Sequence, residues 1–347
     1  MVRVWQVPRA GVAHGREPRM TDPVGVAFIG YGRQAEFHAR AMAATPDKFR
    51  LVAVSDITES RRAAAMSIGM RAGSQVSDAL GADIELVFIT SHSSLHFEHT
   101  IAAIKAGKHV MVEKPFATTG ADARAMVDAA RDAGVLISCF HNRRWDEDVC
   151  KVRTAVRDGL LGALVSIENR SAGARPAVGF GTPDFKQEWR ITANMGGGTI
   201  FDFGPHWFDQ VLSLKPGHRV VQVYGDVRHL RWGDADDFFE ARIVFDDGCR
   251  ATVGKCDFAY LSPPKWLIYG TAATLRHDND TCIVETATTS LRVKEGDAKG
   301  DLFGNLHEAV RNGSPLLVTG NEACRNIELI EATITSARER RAIDVDI

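Results

Sequence analysis

The sequence lacks three features that mark specialised classes of protein. Its 42 basic and 44 acidic side chains leave a net charge of −2. The chain therefore has no excess of positive charge that would favour binding to nucleic acid or to a membrane surface. No apolar run reaches the roughly 18 residues of a membrane-spanning helix. Its six cysteines form no Cys-x-x-Cys pair and have no zinc-like spacing. We therefore expect a cytoplasmic protein with neither nucleic-acid nor membrane partner, whose cysteines are free and mostly buried.

The length of 347 residues is too great for one typical core and suits two domains. Residues 1–23 are rich in Arg, Pro and Gly and have no continuous apolar segment, so they are not a secretory signal. We expect a disordered leader there, with Met20 as an alternative start.

A short apolar run at 24–29 is typical of a strand buried on both faces. Gly-x-Gly-x-x-Ala follows at 30–35 and opens a helical stretch that continues to about Ala44. A strand, this glycine turn and a helix together predict a dinucleotide site, with the pyrophosphate at the helix N-terminus. The residues expected to contact the cofactor here are Gly30, Tyr31, Gly32, Arg33 and Gln34.

Asp56 ends the next predicted strand, which spans 50–56. An acidic side chain at this point accepts hydrogen bonds from the ribose hydroxyls of NAD and repels the 2′-phosphate of NADP. The alternative is an ordinary turn or helix-capping aspartate. We favour NAD as the cofactor, and Arg61 and Arg62 nearby keep NADP possible.

Three histidines follow the third core strand, predicted at 84–90. The spacing of His92, His96 and His99 straddles a loop and a helix start, and no strong fourth ligand is nearby, so we favour cofactor contact by Thr90, His92 and His96 over a metal site. We expect no metal.

A fourth strand, at 109–112, leads into Glu113-Lys114-Pro115. Lys114 is expected at the carboxyl edge of the sheet, facing the nicotinamide, with Glu113 beside it. The alternative is a surface lysine paired with Glu113.

Strands and helices alternate up to residue 145, and strands then follow one another with few helices between them. We predict a Rossmann-type, doubly wound parallel sheet (α/β) at 24–145. We predict a substrate-binding and oligomerisation domain (α+β) at 146–347, built on a large, mainly antiparallel open sheet. Such a sheet would leave an apolar face uncovered, which favours a homodimer or homotetramer.

Three glycines at 196–198 precede a helix-length segment that carries Asp202 and His206. Residues four apart share a helix face, so a carboxylate would lie beside an imidazole and could orient it as a base. If Pro205 instead marks the first turn, the helix begins after Asp202. Asp202 and His206 would then not share a helix face.

Together these segments resemble the Gfo/Idh/MocA family of NAD(P)-dependent oxidoreductases from Val24 to the C-terminus. The combination of Glu113-Lys114-Pro115 with the glycine–Asp–His segment carries the resemblance, supported by Gly30-Tyr31-Gly32, 142–144 and 188–190. The chain departs from the family at Ser91-His92-Ser93, where a Pro-Asn pair is commoner, which puts the detail of cofactor contact in doubt.

The resemblance implies hydride transfer between nicotinamide and a hydroxyl or carbonyl carbon of a sugar, inositol or related polyol. It implies His206 as the base, Asp202 as the residue that orients it and Lys114 as the group that polarises the oxygen, all three contacting substrate. It also implies that Asn142, Trp189 and Arg190 contact the cofactor and that Arg143 contacts the substrate. Aromatic residues of two loops, Phe180, Phe185, Phe258 and Tyr260, would suit sugar-ring stacking or an apolar substrate.

Two other functions are consistent with the same motifs. One is an NAD-dependent glycosidase of this fold, which would retain its cofactor and yield no net NADH. The other is a cofactor-binding sensor without turnover, which the complete set of Lys114, Asp202 and His206 disfavours.

Overall fold

The structure is a computed structural model that describes residues 22–176 and 188–347. Most of the predicted leader therefore lies outside the described residues, as do Phe180 and Phe185.

In these ranges the N-terminal sheet has six parallel strands in the order β3-β2-β1-β4-β5-β6. All six residues of β1 are buried, because helices cover both faces of the sheet. The strand order reverses between β1 and β4, the position at which such sheets bind nucleotides. The strands are β1 (Val24–Ile29), β2 (Phe49–Ser55), β3 (Arg71–Gly73), β4 (Leu86–Ile89), β5 (His109–Val112) and β6 (Ile137–Cys139). The helices are α1 (Arg33–Ala43), α2 (Glu59–Ser67), α3 (His96–Lys105) and α4 (Gly120–Ala133).

A 3-10 turn at Asn142–Trp145 and helix α5 (Glu147–Arg157) lead to the second sheet. Within the described ranges this sheet has nine strands in the order β14-β13-β12-β11-β7-β10-β9-β8-β15, and only the β7–β10 pair is parallel. The strands are β7 (Leu164–Ala172), β8 (Val220–Arg228), β9 (Phe238–Phe245), β10 (Arg250–Cys256), β11 (Trp266–Gly270), β12 (Thr274–Asp278), β13 (Thr281–Glu285), β14 (Ser290–Arg292) and β15 (Ile343–Asp344). The remaining helices are α6 (Thr199–Asp202), α7 (Gly204–Ser213), α8 (Leu302–Asn312) and α9 (Gly320–Glu339). The predicted fold class, a parallel Rossmann-type sheet followed by a mainly antiparallel one, is confirmed.

One face of the large sheet packs on α5, α7 and α9, and alternate side chains such as Phe239 and Trp266 are buried there. We call the other side the open face. One row across it consists of Tyr224, Arg242, Thr252, Glu168, Leu267 and Arg276. Uncharged and charged side chains alternate in this row.

Helix α8 packs on the N-terminal sheet although it follows the large sheet in the chain. The Phe303 ring stacks on that of Phe88, 6.4 Å between centroids, and the Arg311 guanidinium donates to both carboxylate oxygens of Glu85, at 2.6 and 2.8 Å. The division at residues 145 and 146 stays a prediction.

Three strands, β3, β12 and β15, were not predicted from the sequence. They have only two to five residues each and contain Arg71, His277 and Asp344 among few apolar side chains, so local patterning is weak and pairing with a neighbour creates them. All six cysteines are free and five are buried, as expected. Among the described residues, none of the helices is long and apolar enough to cross a membrane.

Candidate active site

A cleft of about 600 Å³ opens where β1, β2, β4 and β5 end and extends to α6 and α7. All of the catalytic, cofactor-binding and substrate-binding residues predicted from the motifs line this cleft, whereas Phe258 and Tyr260 are not among its lining residues. The predicted residues that line it are Gly30, Tyr31, Gly32, Arg33, Gln34, Asp56, Thr90, His92, His96, Glu113, Lys114, Asn142, Arg143, Trp189, Arg190, Asp202 and His206. Their individual roles stay predictions.

The glycine turn between β1 and α1 forms a cradle for phosphate. Gly30 has a φ of +88°, and a Cβ there would lie 2.7 Å from the backbone nitrogen of Ser91, so only glycine fits. At Gly32 a Cβ would have no neighbour within 4 Å, which leaves space for a ligand against the backbone. No side chain caps the N-terminus of α1, so its free N–H groups fit a pyrophosphate.

Asp56 is half-buried at the end of β2. Its carboxylate accepts the Tyr31 N–H at 2.6 Å and the Thr58 N–H at 2.7 Å. Each oxygen takes one of these bonds and retains a lone pair for a ribose hydroxyl. Arg61 lines the same part of the cleft and pairs with Glu36 at 2.9 Å.

The segment after β4 holds the sheet edge together. The Thr90 hydroxyl donates to the Gly30 carbonyl at 2.6 Å. The buried His96 ring lies 2.7 Å from the Pro115 carbonyl and 3.1 Å from that of Ser91, and burial lowers its pKa. Because a neutral imidazole has one N–H, only one of these carbonyls accepts from it. His96 therefore supports the loop that carries Lys114, in addition to lining the cleft.

His92 and His99 also have hydrogen-bonding neighbours. His92 Nδ1 lies 2.9 Å from the Ser94 hydroxyl, and His99 Nδ1 lies 2.9 Å from the Ser91 hydroxyl. In the ranges described, the group with metal-like spacing is instead His218, Asp246 and Asp247, outside this cleft, where Lys215 pairs with Asp247. The absence of a metal stays a prediction.

Lys114 reaches across the cleft to Asp202. Its ammonium donates to the Asp202 carboxylate at 2.7 Å and to the Asp202 carbonyl at 2.8 Å. The Arg190 guanidinium lies 3.6 Å from the same carboxylate. Burial works to raise the pKa of Asp202, but the Lys114 and Arg190 cations outweigh it and hold this pKa below its usual range.

Glu113 does not compete for Lys114. Its carboxylate pairs with buried His38 at 2.7 Å and accepts the backbone N–H of Lys114 at 3.1 Å. Burial opposes ionisation of Glu113, but His38 outweighs it and the pKa is lowered. The alternative of a surface lysine paired with Glu113 therefore does not describe this structure.

His206 is buried in the first turn of α7. Burial, reinforced by the cations of Lys114 and Arg143, holds its pKa well below the usual range, so the ring is neutral at neutral pH. Within the described ranges its Nδ1 has no hydrogen-bond partner.

The sequence predicts that Asp202 contacts His206, whereas in the structure its carboxylate contacts Lys114. Helix α6 ends at Asp202 and α7 begins at Gly204 with Pro205 in its first turn. The two residues therefore lie on different helices, and the spacing rule of a continuous helix does not apply. Asp202 orients Lys114 rather than the imidazole.

Two of the three glycines before α6 are explained by neighbouring atoms that leave no room for a Cβ. A Cβ at Gly197 would lie 2.7 Å from the carbonyl carbon of Arg190, and one at Gly198, where φ is +113°, would lie 2.0 Å from Asp236 Oδ1. Asp236 Oδ2 accepts the N–H of Ile200 at 2.8 Å, and burial raises its pKa to about 7. Asp236 thus fixes the start of the helix that carries Asp202.

Three aromatic–cation pairs lie at or beside the cleft. The Arg190 guanidinium lies 4.3 Å from the ring centre of Trp189. Arg143 lies 5.8 Å from the ring centre of Trp207 and 3.7 Å from the Asp146 carboxylate. Lys265 lies 5.0 Å from the same Trp207 ring. Neighbouring Asn142 is exposed at the cleft.

Reasoning from the sequence missed Trp207, Lys265, Asp236 and His141 as contributors to this site. Trp207 stands beside His206 in the chain, so its place in the motif could have indicated it. The other three belong to no motif, and only the tertiary fold brings them to His206 or to the start of α6.

Comparisons with known proteins agree with this geometry. Residues 24–141 match the family model of an oxidoreductase family with an NAD-binding Rossmann fold. Residues 149–276 match the model of the GFO/IDH/MocA C-terminal domain.

Similar proteins include two inositol dehydrogenases. Scyllo-inositol 2-dehydrogenase (NADP(+)) IolW of Bacillus subtilis is 28% identical over 298 residues, which cover 75% of this chain and 78% of that protein. Myo-inositol 2-dehydrogenase of Thermotoga maritima is 26% identical over 348 residues, which cover 92% and 98%.

Among solved structures, an NAD-binding protein from Listeria innocua superposes with a TM-score of 0.83 at 26% identity, covering 92% of this chain and 96% of that one. The two family models that match and the two sheets of the structure indicate the same two-domain fold. The chain belongs to the Gfo/Idh/MocA family of oxidoreductases, with an NAD-binding Rossmann domain.

Proposed function

We propose that this oxidoreductase interconverts a secondary alcohol and a ketone on a sugar, inositol or related polyol. The observation that carries the proposal is the position of Lys114 and neutral His206 in one cleft with the dinucleotide cradle. Oxidation of an alcohol requires a proton acceptor at oxygen and a hydride acceptor at carbon. The nicotinamide of the bound cofactor supplies the second.

His206 acts as the base. Its low pKa keeps the ring unprotonated, so a ring nitrogen is available to take the hydroxyl proton as the carbonyl forms. In the reverse direction the same ring, once protonated, returns the proton to the oxygen.

Lys114 stabilises charge on the reacting oxygen. Its ammonium has three N–H groups, and Asp202 accepts two of them, which leaves one for the substrate oxygen among the residues described. A fixed donor in a shielded cleft stabilises developing alkoxide charge without reorganisation. Asp202 holds the donor in place.

The residues present fit a nicotinamide dinucleotide. The turn at Gly30 and Gly32 would hold the pyrophosphate, and Asp56 the adenosine ribose. The carboxylate of Asp56 favours NAD, because the 2′-phosphate of NADP would lie against it. The pairing of Arg61 with Glu36 removes much of the positive charge that would attract that phosphate.

A polyol as substrate is supported by the relatives' names and by the composition of the cleft. Both similar proteins named above act on inositols. Beyond Lys114 and His206, the cleft offers Arg143 and Asn142 as hydrogen-bonding groups. Such groups suit a ligand with several hydroxyls.

The test is the absorbance of the reduced nicotinamide during incubation with NAD or NADP and a panel of sugars, inositols and sugar acids. We expect an increase with NAD and one substrate, and loss of turnover in both Lys114→Ala and His206→Ala. Release of tightly bound NAD on denaturation, with product but no net NADH, would indicate the glycosidase. Cofactor binding that both variants retain, with no turnover in the unaltered protein, would indicate a sensor.

We also propose that the open face joins two copies of the chain, as a homodimer or within a homotetramer. Tyr224 and Tyr269 are about half exposed on this face, and apolar side chains on a large open sheet favour burial against a copy. Light scattering should give twice or four times the chain mass of 37.9 kDa. A monomer at micromolar concentration would contradict the proposal.

A further inference from the structure

His141 is a buried histidine next to the site that the proposed function leaves without a role. It follows β6 and directly precedes the turn that carries Asn142 and Arg143. Its side chain is 1% exposed. Within residues 22–176 and 188–347, neither ring nitrogen has a hydrogen-bond partner.

A buried histidine ring without hydrogen-bond partners is energetically unfavourable. Burial lowers the pKa of His141, so the ring is neutral and has one N–H donor and one lone pair. An unpaired buried donor or acceptor costs about 1–3 kcal/mol. Buried polar groups in native proteins nearly always have partners.

Among the described residues, His206 also has an unpaired ring nitrogen, which needs a hydrogen-bond acceptor. Nδ1 is its buried, unpartnered nitrogen in the described structure, so Nε2 is the nitrogen left for the cleft that His206 lines. For Nε2 to accept a proton, the single N–H of the neutral ring must be on Nδ1, which then needs an acceptor. The turn that follows His141 packs on the helix that carries His206: Gln210, one helical turn after His206 on α7, donates to the Arg143 carbonyl at 2.8 Å.

The carboxylates around these two rings already have partners. Asp209 accepts two hydrogen bonds from Arg144, at 2.5 and 3.0 Å, and Glu322 accepts one at 3.0 Å. Glu113 pairs with His38 and Asp202 with Lys114. The other charged neighbours of His206 are the cations of Arg143 and Lys265, which cannot accept a proton.

We propose that His141 is a positioning residue for the base: its ring lone pair accepts the Nδ1–H of His206, either after a small ring rotation or through one buried water. This contact would hold His206 in the tautomer whose Nε2 faces the substrate hydroxyl. The proposal rests on the proposed function in one respect, namely that His206 is the base.

The contact also provides an acceptor for the Nδ1 proton of His206 during the reaction. When the substrate O–H bond breaks, its proton forms the Nε2–H bond of His206, while the hydride leaves the carbon for the nicotinamide. The Nδ1 proton moves towards the lone pair of His141. Positive charge is then shared by two rings instead of remaining on His206 beside Lys114 and Arg143.

The first experiment compares His141→Phe, which keeps a ring and removes both nitrogens, with His141→Asn and His141→Gln, which retain an amide acceptor. We expect kcat of His141→Phe to fall by roughly tenfold to a hundredfold with little change in KM, and at least one amide variant to recover part of the loss. The matched control is His277→Phe, since His277 is also buried with an unpaired Nδ1. An unchanged kcat in His141→Phe, or an equal loss in the control, would overturn the proposal.

The second experiment does not depend on turnover. Nitrogen NMR of the ¹⁵N-histidine-labelled protein, with the His206 signals assigned from a His206→Gln sample, reads the tautomer directly. We expect Nδ1–H in the unaltered protein and a shift towards Nε2–H in His141→Phe. An Nε2–H tautomer in the unaltered protein, or no change in the variant, would refute the contact. If the tautomer responds but no polyol is oxidised, the contact stands and the proposed function fails.

Discussion

At the scale of single residues, the partner of Asp202 decides how charge is arranged around the reacting carbon. The carboxylate pairs with Lys114, the proposed electrophile, and not with His206, the proposed base. The cation therefore has a fixed direction, and the base stays neutral because it is buried among cations.

We expect Asp202→Asn to lower kcat by about a hundredfold, the loss typical when one preorganised charge-stabilising contact is removed. Asparagine keeps the shape of the side chain and an accepting oxygen but not the charge, so the Lys114 ammonium loses its ion pair at 2.7 Å and is held by neutral acceptors, including the backbone carbonyl of residue 202 at 2.8 Å. Steady-state kinetics with the identified substrate provides the measurement.

A double-mutant cycle with Lys114→Met separates the two possible roles of Asp202. If Asp202 acts through Lys114, the double variant should be no slower than Lys114→Met alone. Losses that multiply would show that Asp202 acts on His206 or on the substrate instead.

The sequence allowed prediction of the site residues that belong to short motifs. Gly30, Asp56, Lys114 and His206 each stand at a fixed point relative to a strand end or a glycine turn, and all line the cleft. His141 has no such signal, because its significance depends on lacking a hydrogen-bond partner after folding. The predicted contact of Asp202 with His206 depended on one continuous helix, and the alternative, in which Pro205 marks the first turn of a helix after Asp202, is the arrangement observed.

At the scale of elements, the glycine turn and α6 form one unit that carries Asp202. Four residues are too few for a helix to be stable alone, so the start of α6 depends on Asp236, whose backbone carbonyl accepts the Thr199 N–H at 2.9 Å and whose side chain accepts that of Ile200.

We expect Gly198→Ala to lower the free energy of unfolding by about 3 kcal/mol and to lower kcat. The new methyl group would meet Asp236 Oδ1 and would also force a side chain onto a φ of +113°, a conformation that costs about 1–3 kcal/mol. Urea denaturation measures the first effect and steady-state kinetics the second.

Gly217→Ala is the control, because φ there is +81° and a Cβ would have no neighbour within 4 Å. It should cost only about 1 kcal/mol and leave kcat unchanged. Equal destabilisation in the two variants would mean that the contact with Asp236 contributes nothing.

Prediction of elements from the sequence was good where one pattern was uninterrupted. The bounds of β1 and β5 were predicted without error, since each is a short apolar run next to turn residues. The break between α6 and α7 has a local signal in Pro205, whereas the ends of β12 are set by its partner strands.

At the scale of the whole molecule, the alternation of elements was enough to predict both sheets. The docking of α8 on the N-terminal sheet was not predictable, because it rests on pairs such as Arg311 with Glu85, 226 residues apart. Periodicity gives the face that an element buries but not the surface that it meets. The residue composition of the open face could likewise be known only once the strand register was known.

Buried histidines should make the whole molecule sensitive to mild acid. His96, His141, His206 and His277 are at most 5% exposed, and burial lowers the pKa of each. Below about pH 6.5 these histidines are protonated in the unfolded chain but stay neutral in the folded chain. The free energy of unfolding therefore decreases as the pH falls, by up to about 1.4 kcal/mol per pH unit for each histidine. Asp236 opposes this, since its raised pKa of about 7 adds stability as pH falls. Burial also lowers the pKa of His99 and His109 and raises that of Asp146 and Asp257. Because six histidines outnumber three aspartates, the urea midpoint should decrease from pH 7.5 to 5.5 at constant ionic strength. His277→Phe should show a shallower decrease, and a constant midpoint would contradict the prediction.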